Sequence, residues 1–176
     1  MFNKILVAID QSQISQQVLD EALSLATATG ANLMLLHVIS PLDEQYVNPM
    51  FLHPNTMYSS IPPEAVKTYM KRWEELKQER LDWLRSLFQK ATDAGVKAEL
   101  SQILGNPSRM ICEVARNWQA DLIVVGHRGL SGLSEFVLGS VSNYLLHHAP
   151  CSILTVQPKA THTTTENPQT ALVATF

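Results

Sequence analysis

Three glycines and a serine set the most chemically telling spacing in this chain. Gly126, Gly129 and Gly139-Ser140 stand as G-x2-G-x9-G-S within residues 121–156. Glycines let a loop turn tightly and bring backbone N–H groups close to a ligand. Gly139-Ser140 opens a helical pattern, and the first N–H groups of a helix are a natural seat for phosphate. The combination predicts a nucleotide site. A P-loop would read G-x4-G-K-[ST], with the lysine reaching the outer phosphates. No lysine follows a glycine here, and neither a cis arginine finger nor a water-positioning pair is recognisable. Backbone cradling without charge neutralisation favours holding a nucleotide over splitting it. The sequence therefore assigns no catalytic residue and no protein metal site. Any Mg²⁺ would arrive on the phosphates.

The elements that must position this loop alternate regularly. Residues 4–9 (KILVAI) form a short, β-branched, apolar run that reads as a buried strand. Ile14, Val18, Ala22, Leu25 and Ala26 follow at helical spacing, and Gly30 marks the stop. Asn32–Ile39 is a second buried strand. A long helical pattern follows Pro62-Pro63 and ends at Gly95. Residues 96–103 alternate more, which suits an edge strand. Asn106-Pro107 has the form of an N-cap with proline at the first helical position. Residues 122–125 make a strand, Ser140–His148 a helix and Ser152–Val156 a last strand. The predicted order is β-α-β-α-β-α-β-α-β. It implies a doubly wound parallel sheet covered on both faces. In such sheets ligands bind beyond the carboxyl ends of the strands, where the winding reverses. If the first and fourth strands are neighbours there, Asp10 and the Gly126–Gly129 loop face one crevice.

Composition bounds the alternatives. At 176 residues the chain reads as one domain, and 45% hydrophobic with 16% charged residues is ordinary for a soluble globular protein. A net charge of -3 gives no electrostatic case for a nucleic-acid partner. No apolar run is long enough to span a bilayer, and the N-terminus reads as a strand rather than a signal peptide. Cys112 and Cys151 read as reduced core residues. A cytoplasmic location is expected. Segment 40–63, rich in Pro, Met and aromatics, reads as a functional loop over the site or a partner surface. Residues 158–176 read as a flexible, Thr-rich tail.

KILVAID, NLMLLHVI, GNP and GHRG…GSVS…APCSILTV, in this order, resemble the universal stress protein family across residues 1–157. The resemblance implies a five-stranded parallel sheet of order 3-2-1-4-5, the adenine-nucleotide alpha-hydrolase-like architecture. One branch of that family binds ATP and related adenine nucleotides, and the branch that lacks the glycine pattern does not. By position, the resemblance places Asp10 near the adenosine. It puts Val38 and Val125 in the adenine slot. Gly126, Gly129, Gly139 and Ser140 cradle ribose and phosphates, with Val141 and Ser142 at the helix start and Arg128 as the positive charge. ATP is the implied ligand, with ADP, AMP or a cyclic nucleotide as variants. Ala8 stands where some ATP-binding members carry proline. The resemblance also implies a homodimer through Ser152–Val156, since an apolar edge strand needs covering. The expected function is a nucleotide-dependent sensor or regulatory module with unknown protein partners. The alternatives are a slow ATPase and an interaction module independent of nucleotide.

Blander readings stand beside these. Asp10 can simply cap the next helix. The glycines can serve turns and packing. His37 and His127 read as satisfied or packed residues, and His147-His148 as complements to a helix dipole. The charged run 71–85 reads as a solvated helix face with i,i+4 pairs.

Overall fold

The computed structural model describes residues 1–40, 62–127 and 139–158. Most of the segment 40–63, Arg128, Gly129 and the tail from residue 159 lie outside the described residues. The elements are β1 (Lys4–Ala8), α1 (Ser15–Thr29), β2 (Asn32–Ile39), α2 (Pro63–Asp93), β3 (Ala98–Leu104), α3 (Pro107–Trp118), β4 (Leu122–Gly126), α4 (Ser140–His148) and β5 (Ser152–Val156). One five-stranded sheet runs in the order β3-β2-β1-β4-β5. Every neighbouring pair is parallel. This is the doubly wound α/β sheet that the alternation of elements requires.

Local chemistry explains the boundaries. The helix α1 stops at Gly30, whose φ of 72° is left-handed and whose N–H donates to the Ala26 carbonyl. Glycine takes that conformation without the steric cost a Cβ brings. The helix α3 starts at Asn106, whose side chain accepts from the Arg109 N–H, with proline next in line. It ends at Gln119, a non-glycine residue with φ of 58°. No glycine marks that end in the sequence.

The core lies in two layers, one on each face of the sheet. On one face Ile5, Val7, Leu33, Leu35 and Val124 pack against Val18, Leu19 and Ala22 of α1 and Leu84 and Leu87 of α2. On the other, Leu6, Leu36, Ile123 and Val125 pack against Ile111 and Ala115 of α3 and Leu145 of α4. The central strands β1 and β4 are therefore buried on both sides, which is why they read as continuous apolar runs. Because α1 and α2 cover one face and α3 and α4 the other, the winding reverses between β1 and β4.

The helix α2 departs from expectation at one residue. Most of its charged run is solvated, with exposed ion pairs Lys71–Glu75 at 3.8 Å and Arg85–Asp82 at 2.9 Å. Arg80 is different. It is only 4% exposed and falls in the buried stripe Leu76, Arg80, Leu84, Leu87 and Ala91. A four-residue spacing from Leu76 and to Leu84 turns it toward the sheet rather than toward water.

Cys112 is buried and Cys151 partly so, and both are free thiols. Burial raises both above the usual thiol range, and Asp121 adds to the effect at Cys151. Both are thus held in the neutral form. No helix among the described residues is long and apolar enough to cross a membrane.

Candidate functional site

The carboxyl ends of β2, β1 and β4 lie side by side, with Ala8 paired to Leu36 on one side and to Val125 on the other. Just past Ala8 the chain is still held by the sheet. The Ile9 N–H donates to the Leu36 carbonyl at 3.0 Å. The Ile9 carbonyl in turn accepts from His37 Nδ1 at 2.9 Å. A carbonyl can only accept, so this bond keeps a proton on Nδ1. The His37 ring is buried and meets Trp83 of α2 edge-on, with centroids 5.4 Å apart. His37 thus acts as a scaffold.

Asp10 follows directly. Its Oδ1 accepts from the Ser12 N–H at 3.1 Å, from the Ser12 hydroxyl, and from the Ser15 hydroxyl at 3.1 Å. The Ser15 hydroxyl also donates to the Asp10 carbonyl. These bonds close the turn between β1 and α1. Asp10 is not the N-cap itself, a position held by Ile14, which makes no side-chain cap. The carboxylate organises the turn four residues earlier and stays half-buried at the rim.

The opposite wall comes from β4 and α4. The Ser142 hydroxyl donates to the Gly126 carbonyl at 3.1 Å, fastening the start of α4 to the end of β4. The N-cap of α4 is Gly139, which offers no side-chain cap. The first N–H groups of the helix therefore lack the hydroxyl or carboxylate that usually satisfies one of them. Gly139 has φ -54° and ψ 150°, angles open to any residue, so backbone conformation does not demand a glycine there.

Gly126 has a different reason. A Cβ at this position would lie 3.0 Å from Ile14 Cγ2 and 3.2 Å from Val18 Cγ2. The missing side chain lets the first turns of α1 sit directly on the end of β4. This packing brings the Asp10 turn up against the Gly126 end.

Between these walls lies a cleft of about 640 Å³. Of the residues predicted from sequence, Asp10, Val38, Val125, Gly126, Gly139, Ser140, Val141 and Ser142 all line it. Arg128 and Gly129 lie outside the described residues. Sequence reasoning missed the contributions of the β1–α1 turn beyond Asp10 and of the helices α2 and α3. Pro107 and Ile111 of α3 supply apolar wall, and Arg80 of α2 supplies a guanidinium. The signal for Arg80 was its place in a leucine stripe. Asp10 and Arg80 are the carboxylate and the guanidinium among the described lining residues. His147 and His148 stand apart, on the last turn of α4, where His148 stacks on Tyr144 at 4.0 Å.

The fold and cleft define an open, doubly wound α/β protein with its cleft at the switch point of the sheet. A family model described as the universal stress protein family matches residues 1–157. Universal stress protein Sll1388 of Synechocystis is 39% identical over 160 residues, covering 89% of this chain and 98% of that protein. The chain belongs to the universal stress protein family. Solved structures share the fold at lower identity. A family protein from Arabidopsis thaliana with AMP bound superposes with a TM-score of 0.62, at 23% identity over 90% or more of each chain (93% and 97%). A universal stress protein in complex with cAMP gives 0.57 at 23% identity, covering 89% of this chain and 97% of that one.

The packing of Gly126 makes a measurable prediction. Gly126→Val should destabilise the fold by about 1–3 kcal/mol, the usual cost of overpacking. Val18→Ala should recover part of that loss in the double variant, because it removes one of the methyls in the way. Urea denaturation of the two single variants and the pair measures the coupling. Additive losses would show that Gly126 is not there to admit α1.

Proposed function

We propose that this protein is an adenine-nucleotide-binding stress-response module, with ATP as its ligand and ADP, AMP or a cyclic nucleotide as possible substitutes. One observation carries the reading. The uncapped start of α4 and the Asp10 turn converge on a single cleft at the switch point of the sheet. That is where an open α/β sheet receives a ligand. The proposed arrangement follows from the walls. Val38 and Val125 flank the base, and Asp10 accepts hydrogen bonds from the ribose. Amides of Ser140, Val141 and Ser142 hold phosphate, with Gly139 kept small for close approach. Gly126 enters by bringing the walls together. Arg128 and Gly129 complete the phosphate end in this reading. The relatives solved with AMP and with cAMP support an adenine ligand.

The site is proposed to hold rather than to split. The loop carries no P-loop lysine, and Mg²⁺ would come in on the phosphates. Nucleotide occupancy then biases partner binding, which makes the module a sensor. The proposed unit is a domain spanning residues 1–157, followed by a tail, in the cytoplasm. Isothermal calorimetry should give saturable binding of ATP or AMP. Gly139→Val should abolish it with little change in melting temperature, since valine fits the backbone angles at that position. Absence of binding at millimolar nucleotide would refute the reading. A single-turnover assay should find bound ATP released as ADP no faster than in buffer.

A homodimer through β5 is the proposed assembly. Among the described residues β5 pairs only with β4, so its outer edge is open. Its sequence SILTV carries no charge, and Ile153 and Leu154 are only half-buried. The other edge strand, β3, carries Glu99 and is tied to α2 by Gln102, whose side chain donates to the Lys77 carbonyl at 3.0 Å. An uncharged apolar edge is the one that invites strand pairing. Light scattering should give twice the chain mass at micromolar concentration, and Leu154→Lys should shift the mass to that of one chain.

A further inference from the structure

We propose that His37 is a positioning residue of the cleft. By taking the Ile9 carbonyl it ends the pairing of β1 with β2 one bond early. The Val38 N–H is thereby kept as a donor at the cleft, for an acceptor atom on the bound base. The inference rests on the nucleotide-binding reading above and adds to it a residue and a backbone contact.

The register carries the argument. Ala8 pairs with Leu36, so Ile9 stands opposite His37. In a parallel ladder a residue bonds, through its N–H and its C=O, to the two residues that flank its opposite number. The first of these bonds is made, from the Ile9 N–H to the Leu36 carbonyl at 3.0 Å. The second would run from the Val38 N–H to the Ile9 carbonyl. Among the described residues it is absent, and the Val38 N–H has no partner. The Ile9 carbonyl is instead taken by His37 Nδ1 at 2.9 Å. The sequence shows the substitution: in NLMLLHVI the histidine is the polar break in an apolar run. Its side chain is 2% exposed and braced edge-on by Trp83, so the donor is held in place.

The direction of the spare N–H follows from the same register. The Leu36 carbonyl faces β1, and so does the N–H of Val38 two residues on. Past Ile9 no β1 residue is left to meet it, because the chain turns away at Asp10 through bonds to Ser12 and Ser15. The N–H therefore looks across the end of β1, and Val38 lines the cleft there. Its side chain lies in the apolar layer of Ile111 and Val125, on the face where the base is placed. His37 projects to the opposite face, since side chains alternate along a strand. It acts on the ligand through Ile9 and Val38.

The test reads the Val38 amide directly. Hydrogen exchange is followed by NMR on the full chain and on His37→Leu and His37→Asn, with calorimetry of AMP beside it. Leucine fills the site without a donor, and asparagine keeps an N–H close to the place of Nδ1. In His37→Leu the Ile9 carbonyl should pass to Val38, so that the Val38 amide exchanges about tenfold or more slowly without ligand. AMP affinity should fall roughly twofold to tenfold, the net worth of one neutral hydrogen bond. His37→Asn should return both quantities toward the wild type. An AMP loss without slower Val38 exchange would show that His37 only shapes the cleft, and would overturn the proposal. Slower exchange with unchanged affinity would overturn it too, as would an asparagine variant that behaves like the leucine one. If the leucine variant does not fold, the wild type still decides: AMP should slow Val38 exchange, and an amide indifferent to saturating AMP would refute the contact. A wild type that binds no AMP would remove the nucleotide reading, while exchange without ligand would still judge what His37 does to the ladder.

Discussion

Ile9 is the last residue before the cleft that the sheet still holds. Its N–H belongs to β2 through Leu36, and its carbonyl belongs to β2 through His37. Without these two bonds the chain would leave the sheet at Ala8 and the next residues would be free to wander. With them, Asp10 starts from a fixed point. The turn that follows is then closed by Asp10 itself, through Ser12 and Ser15. A buried histidine is therefore committed to backbone geometry, with Nδ1 on the Ile9 carbonyl and the ring edge-on to Trp83. The same ring meets Trp83 of α2, a helix seated on this face of the sheet by Leu84, Leu87 and Ala91. One side chain thus touches both the strand end that starts the carboxylate wall and the helix that carries Arg80.

The opposing wall obeys the same economy. Ser142 is 1% exposed and its hydroxyl is committed to the Gly126 carbonyl. What this residue can offer a ligand is its amide, not its hydroxyl. Gly126 offers its carbonyl to Ser142 and its missing side chain to α1. The two walls are therefore not independent. The glycine at the end of β4 is what lets α1 reach across, and α1 is the helix that the Asp10 turn begins.

Much of this was legible in the sequence, and the parts that were not share a cause. Asn32–Ile39, Ser140–His148 and Ser152–Val156 could be read to the residue. Each is a periodic or continuous apolar pattern bounded by Gly, Pro or polar residues. Gly30 and Asn106 announced a helix end and a helix start by chemistry local to a few residues. The edge position of β3 followed from its alternation. Three features were not legible, because each depends on a distant contact. Arg80 looked solvated in a charged run, and only the depth of α2 on the sheet makes it a wall of the cleft. Gly126 read as a phosphate-loop glycine, and its packing role depends on Ile14 and Val18, more than a hundred residues away. The turn at Gln119 carries no glycine, so the left-handed end of α3 had no local sign.

The charges of the cleft bear on what it can do with a ligand. Among the described lining residues one carboxylate stands against one guanidinium, so their formal charges cancel. The start of α4 adds a partial positive charge of about half a unit, which falls off within the first turn. In the proposed arrangement a nucleotide is held by directed hydrogen bonds, from the first amides of α4 on one side and to the Asp10 carboxylate on the other. Directed bonds discriminate by shape and by where the charge sits on the ligand.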